Sequence, residues 1–355
     1  MDQLVIRAAT LDDLDQLLEL SKLVGSGMTT MPTDRQIWTE KLERSNNDFK
    51  RATASGGSDT YFLVMEDIDQ QEIVGSCAIY TGIGLERPFY SYKLATHTSS
   101  SEKLDLTVHT RTLSLVNDFV GTTEIGSLFL RKEYRRDGIG KFLSRSRFLL
   151  LADFPDRFNE RIFAEMLGWL NEHAESPFWE SLGKKFFGLS FQRADFISAV
   201  DGFQFISDLM PKYPVYVDLL SEQAQEVIGK PHDDTVGALR ILEKEGFAYS
   251  GYVDIFDAGP TISTRLQNIR SVIESKPATV TRIEPDLDER SEGAYLISNS
   301  RLPDYRLTRA RLIEVNPEHN SDSPVEVKIS QSTANALAVE PGDPLRILNA
   351  NNKAH

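Results

Sequence analysis

Apolar residues recur along the chain at two spacings. The run Leu4-Val5-Ile6-Arg7-Ala8 predicts a first strand. Thr10-Leu11-Asp12-Asp13 then carries a helix-start signal, with Thr10 as N-cap, and Leu14, Leu17 and Leu18 follow at helical spacing with Leu20 and Val24 near the same side. A second helix is expected over 33–45, and the polar, Gly/Ser-rich stretch 45–59 reads as a loop. Residues 61–65 and 72–80 predict a hairpin, whereas 95–110 is Ser/Thr-rich and receives no element. Residues 125–130 predict a strand, 139–152 a helix, 161–166 a strand, and 177–187 a short helix closing on a glycine.

The stretch 124–143 carries the clearest chemistry. The apolar run Ile125-Gly126-Ser127-Leu128-Phe129-Leu130 enters a basic turn, Arg131-Lys132-Glu133-Tyr134-Arg135-Arg136-Asp137, and Gly138-Ile139-Gly140-Lys141 opens a helix. Glycines let backbone approach an anion, and the first N–H groups of a helix have no partner inside it. The pattern Arg135-x-x-Gly138-x-Gly140 resembles the acyl-CoA loop of the GNAT superfamily, [Q/R]-x-x-G-x-[G/A]. No Gly-Lys-Ser/Thr follows, which excludes a Walker loop, and the third glycine of a dinucleotide fingerprint is missing. By this resemblance Leu128, Phe129, Leu130, Arg135, Arg136, Gly138, Ile139 and Gly140 are the expected CoA-binding residues.

The order β-α-α-β-β-(β)-α-β-α matches that α/β (α+β) acyl-CoA transferase fold, and Phe178-Trp179-x-x-Leu182-Gly183-x-x-Phe186 resembles its later helix. Residues 238–251 look like the same helix–Gly–Phe–strand element again, and read equally well as a generic helix with a C-terminal glycine. A real repeat would make 191–275 a partial second GNAT-like copy, sharing one sheet system with the first. Glu274-Ser275-Lys276-Pro277 marks a boundary. The expected domains are thus 1–190, a GNAT-like acyl-CoA-binding domain; 191–275, a second partial segment; and 276–355, a small β-rich C-terminal subdomain. In the last, strands are expected at 305–315 and 325–329, a short helix at 332–338, and a Pro341-Gly342-Asp343 turn into a final strand.

Composition narrows the partners. The 355 residues carry a net charge of −14, which argues against nucleic acid. No run of about 18 apolar residues occurs, so no membrane span is expected. The first residues lack the basic and long apolar regions of a signal peptide. A single cysteine, Cys77, excludes an internal disulfide and a cysteine metal cage; its setting in Ile73-Val74-Gly75-Ser76-Cys77-Ala78 predicts a packed thiol rather than a nucleophile. These features point to the cytoplasm, with no metal and no permanently bound cofactor.

Read end to end, the chain resembles the arginine N-succinyltransferase family. The resemblance rests on ordered segments, among them Met28-Thr29-Thr30-Met31-Pro32 after Gly27, Leu85-Glu86-Arg87-Pro88-Phe89-Tyr90-Ser91-Tyr92, Ala164-Glu165-Met166, Ser176-Pro177-Phe178-Trp179, Gly229-Lys230-Pro231-His232-Asp233-Asp234-Thr235 and Val253-Asp254-Ile255-Phe256-Asp257-Ala258-Gly259. Two departures stand out. Leu94-Ala95-Thr96-His97-Thr98-Ser99 replaces the family's Val-Gly-Thr-Leu-Val-His run, which leaves arginine against ornithine open. The loop reads Gly138-Ile139-Gly140 where Gly-Asn-Gly is commoner.

The resemblance implies transfer of succinyl from succinyl-CoA, a co-substrate, to the α-amine of L-arginine. The carbonyl would lie near Ser127, Leu128 and Phe129, with the family's succinyl-CoA contact falling on Leu128. An oxyanion needs preorganised donors, and both the ammonium and the leaving thiol have pKa values near about 8, so a nearby proton donor helps. The family's proton-donor histidine falls on His232, which is expected to protonate the thiolate, with base duty for the amine left open; His97, His109, His173, His319 and His355 read as ordinary histidines. A guanidinium calls for a carboxylate, and Glu124, Asp118, Asp254 and Asp257 are candidates. Charge need alone nominates Lys93 or Arg147 for the succinyl carboxylate. Alternatives are an acyltransferase for another amine such as ornithine, a non-catalytic partner subunit, or an acyl-CoA-binding regulatory module. Homo- and hetero-oligomers both stay open.

Overall fold

The computed structural model describes residues 3–24, 28–194, 197, 204–287, 294–315 and 323–350; Gly27, His319 and His355 lie outside them. The strands, in chain order, are β1 (Leu4–Ala8), β2 (Thr60–Asp67), β3 (Glu72–Tyr80), β4 (Ser91–Ser101), β5 (Leu106–Val116), β6 (Thr123–Leu130), β7 (Arg161–Glu165), β8 (Val215–Tyr216), β9 (Ala248–Val253), β10 (Pro260–Arg265), β11 (Lys276–Glu284), β12 (Tyr295–Ser298), β13 (Arg306–Ala310), β14 (Leu312–Glu314), β15 (Val325–Ser330) and β16 (Pro344–Asn349). All join one sheet, and its middle runs β1-β2-β3-β6-β7-β10-β9. Only β6–β7 and β11–β15 are parallel among the described pairs.

Alternation on β2 and β3 sends side chains to two cores. Tyr61, Leu63, Cys77 and Ile79 meet Phe142, Leu143, Leu149 and Leu150 of the helix Ile139–Asp153, α3. Phe62, Val64 and Ala78 face the other way, onto α1 (Leu14–Val24) and α2 (Arg35–Lys50), through Leu17, Leu20, Trp38 and Leu42. The α2 helix runs five residues beyond the expected 45. Phe49 is buried and the Asp48 carboxylate accepts the Thr60 N–H at 2.8 Å, so tertiary contacts hold a polar stretch helical.

Residues 95–110, left unassigned from sequence, form the outer part of the β4–β5 hairpin, which pairs from Ser91↔Val116 to Ser101↔Leu106. Its outer residues are mostly exposed on both faces, so no apolar alternation marks it. The expected helix at 177–187 is two, Pro177–Ser181 and Gly183–Phe187. Gly183 lies so close to Trp179 that a Cβ there would sit 2.2 Å from the ring.

The helix–Gly–Phe–strand element at 238–251 is built into this same sheet. Leu242 and Phe247 are buried in the α3-side core, Gly246 turns the chain at φ 98°, and β9 and β10 lie beside β7. Residues 276–349 have a core of their own, including Val280, Val327, Leu337 and Ile347. They also extend the sheet, since β13 pairs with β1 through Thr308↔Val5, and Leu296, Tyr305, Leu307 and Leu348 enter the central core.

Candidate active site

The sheet opens beside β6. This strand pairs with β7 only at Thr123↔Ile162 and Glu124↔Phe163. Against β3 its register jumps, with Gly126 opposite Ala78 and Phe129 opposite Ser76, so Ser127 and Leu128 together face Cys77. That is a β-bulge, and such bulges release backbone groups from the ladder. Ser127 holds the left-handed conformation, φ 50°, which costs a non-glycine residue about 1 kcal/mol. Its carbonyl accepts from Ser76 Oγ at 3.0 Å and its Oγ lies 2.6 Å from Tyr80 OH. Leu128 packs toward α3, and Phe129 toward α1 and α2.

The loop after β6 is shaped for an anion. Arg135 Nε donates to Leu130 O at 2.9 Å and folds the turn back on its strand. Asp137 and Gly138 are both left-handed, at φ 51° and 75°, and α3 begins with no side-chain cap. Among the described residues the N–H groups of Gly140 and Lys141 have no backbone acceptor. Open N–H groups, the helix dipole and Arg136 beside them suit a pyrophosphate. Arg309 of β13 donates to Asp137 O at 2.8 Å, so the C-terminal segment braces this loop.

Lys41 of α2 enters from the α1–α2 side. Its ammonium donates to Tyr80 OH at 2.7 Å and to Thr30 O, and sits 4.9–5.3 Å from the ring centres of Trp38, Phe62 and Tyr80. Burial lowers its pKa to about 7, although the charge of Glu124 pulls the other way. Burial likewise raises Glu124 to about 7 against the pull of Lys41. Across the opening, Glu165 is raised well above the ordinary range, by burial first and then by Asp254, Glu124 and Asp257. Its Oε1 and the Oγ1 of its β10 partner Thr261 are buried with no partner among the described residues. Buried orphan polar atoms are uncommon, and here two sit side by side.

The other nominated acids are otherwise engaged. Asp254 Oδ1 accepts the N–H groups of Phe256 and Asp257, at 2.6 and 2.9 Å. Asp257 accepts from Gly259 N at 2.7 Å and Gly168 N at 2.8 Å, and burial raises both carboxyls. Asp118 holds Tyr252 OH at 2.8 Å and Lys93 at 3.5 Å. Arg147 is buried on α3, bonded to Ser144 Oγ at 2.9 Å. Glu124 and Glu165 are therefore the carboxylates left open to a cationic group.

His232 reaches this region through backbone. Its N–H donates to Leu167 O at 2.7 Å, Trp169 N to Lys230 O at 3.1 Å, and Pro231 bridges Gly168, all just past Glu165. The ring Nδ1 accepts Asp234 N–H at 3.2 Å, so the neutral ring carries its proton on Nε2, which has no partner among the described residues. Asp234 Oδ2 lies 3.7 Å from Nδ1. His97 and His109 instead pair with Thr112 and Thr98 along the exposed hairpin.

Lys41 and Glu165 were not singled out from sequence. A charged residue between apolar neighbours in Ile162-Phe163-Ala164-Glu165-Met166 was the available signal for Glu165; Lys41 carries none, since its surroundings come from three other segments.

A family model described as "Arginine N-succinyltransferase beta subunit" matches residues 4–271, and one for that subunit's C-terminal domain matches 276–349. The chain is 37% identical over 345 residues to an arginine N-succinyltransferase of Citrobacter koseri, covering 97% of each, and 38% identical over 343 residues to one of Yersinia enterocolitica, covering 97% of this chain and 96% of the other. The solved structure of arginine/ornithine succinyltransferase subunit AI from Pseudomonas aeruginosa superposes with a TM-score of 0.86 at 32% identity, over 98% of this chain and 99% of that one. With a splayed strand pair, a bulge and an anion loop in succession, and with relatives matched across nearly their whole length, the chain belongs to the arginine N-succinyltransferase family.

Proposed function

We propose that this chain transfers the succinyl group of succinyl-CoA to the α-amine of L-arginine, giving N2-succinylarginine and CoA. The observation that carries the reading is the match to curated arginine N-succinyltransferases across 97% of the chain. Acyl-CoA is the co-substrate of this fold. In the proposal its pyrophosphate lies on the 135–141 loop, and its thioester in the opening between β6 and β7. The carbonyl oxygen meets backbone N–H of the bulge at Leu128, whose preset position is worth most in the transition state.

The neutral amine attacks the thioester carbon, the oxyanion forms and collapses, the C–S bond breaks, and the nitrogen releases one proton as one is given to the thiolate. His232 serves the departing thiolate from Nε2, the nitrogen that carries the proton when Nδ1 is occupied. Glu124 and Glu165 take the cationic groups of arginine, while Asp254 and Asp257 hold the loops in place. The amino-acid and acyl-CoA substrates are small molecules, and the reaction is cytoplasmic in this reading. No described helix is long and apolar enough to cross a membrane.

A thiol-release assay with succinyl-CoA or acetyl-CoA against L-arginine, L-ornithine and L-lysine tests the reading. CoA release fastest with succinyl-CoA and arginine supports it. A faster reaction with another pair overturns the named substrates, and CoA binding without turnover overturns the enzyme.

A further inference from the structure

We infer that Lys41 is the acyl-specificity residue: its ammonium receives the terminal carboxylate of a dicarboxylic acyl-CoA. The inference rests on the succinyl reading above and adds the residue that would select it.

Lys41 makes no close ion pair among the described residues, although the Glu124 carboxylate is near enough to act on its charge. Two of its three N–H groups go to neutral oxygens, Tyr80 OH and Thr30 O. A desolvated ammonium left this way is costly, and a carboxylate arriving on the third N–H relieves that cost. The three rings around it keep water away and favour a cation.

The position fits the length of the acyl chain. Lys41 Nζ is joined to the bulge by two hydrogen bonds, through Tyr80 OH to Ser127 Oγ. The bulge is where the thioester carbonyl is proposed to dock, and an extended succinyl group spans about 4 Å from that carbon to its carboxylate carbon. The other cations fit less well. Arg147 belongs to the α3 core on the opposite side of β3, beside Cys77. Lys93 lies on β4, three strand spacings from β7, which is about 14 Å, and is already paired with Asp118. Acetyl and butyryl groups offer Lys41 nothing, so the lysine discriminates by charge rather than by size.

The test compares succinyl-CoA with butyryl-CoA, which has the same carbon count and no charge, and with glutaryl-CoA, in wild type and in Lys41→Met. Binding of free CoA reports whether the site is intact. The expected result is that the ratio of kcat/KM for succinyl-CoA over butyryl-CoA falls about 30-fold in Lys41→Met, the range of a charge-assisted hydrogen bond, with free-CoA affinity retained. Lys41→Gln, which keeps a polar side chain without the charge, serves if the Met variant does not fold. An unchanged ratio, or equal loss with both donors, overturns the inference. A wild type that favours glutaryl-CoA defeats the succinyl reading, while Lys41 is still judged by the corresponding ratio; a wild type that favours butyryl-CoA defeats both.

Discussion

The hydroxyls of Tyr80 and Ser127 lie 2.6 Å apart, tying the end of β3 to the one described residue of β6 with left-handed backbone. The bond braces the bulge against relaxing into the ladder. Tyr80→Phe removes the brace and keeps the ring. It should lower kcat about tenfold, the size of one net hydrogen bond, with an uncharged donor such as butyryl-CoA, and further with succinyl-CoA, because the same hydroxyl accepts from Lys41. Steady-state rates with the two thioesters check this, and an unchanged rate with butyryl-CoA contradicts it.

Gly168 and Gly259 show how the His232 loop is attached. A Cβ at Gly168 would sit 2.4 Å from Asp257 O and 2.6 Å from its Oδ1, and one at Gly259 would sit 2.0 Å from Met166 O. Gly168→Ala must therefore displace the Asp257 turn or the strand end after Glu165. A loss of about 2–3 kcal/mol is expected in denaturant unfolding, together with a fall in kcat. Full stability in this variant would show that the turn yields without cost.

His232→Ala should reduce kcat by about two to three orders of magnitude with little change in the KM for either substrate, as for loss of a proton donor. Initial-rate kinetics decide it. A loss confined to the KM of the amino acid would reassign His232 to substrate binding.

The opposed shifts of Glu124 and Lys41 give the unliganded protein a pH signature. Glu124 is raised from 4.5 to about 7, so across that window the folded chain holds a proton the unfolded chain has released, and stability falls as pH rises. Lys41 is lowered from 10.5 to about 7, so above 7 the unfolded chain holds the extra proton and stability rises with pH. Melting temperature against pH should flatten on the acid limb in Glu124→Gln and on the alkaline limb in Lys41→Met. Arginine affinity should improve as pH rises through about 7 and lose that step in Glu124→Gln.

The anion loop was legible because its chemistry is local: Arg135, Gly138 and Gly140 lie within six residues, and left-handed backbone at Gly138 is a property of the residue itself. The order of strands and helices around it was legible from apolar period. His232 was visible only through family resemblance, because its position depends on Leu167 and Gly168, more than sixty residues earlier. Nothing in Asp254 or Asp257 announces that backbone N–H groups consume their carboxylates, and nothing in Glu165 announces that they do not. Burial of a charge is decided by segments that meet only in the fold, and that is where Lys41 and Glu165 escaped notice. The β4–β5 hairpin escaped for the opposite reason, having no buried face along its outer half.

The pairing of β13 with β1 and the bond from Arg309 to Asp137 have a consequence for dissection of the chain. A protein cut near residue 276 would lose the cover over the outer edge of β1 and leave its N–H and C=O groups open to any passing strand. It would also release the loop that cradles the pyrophosphate. The C-terminal segment is in this sense an edge guard and a buttress together, and shortened forms of the protein should aggregate before their catalytic competence can be measured.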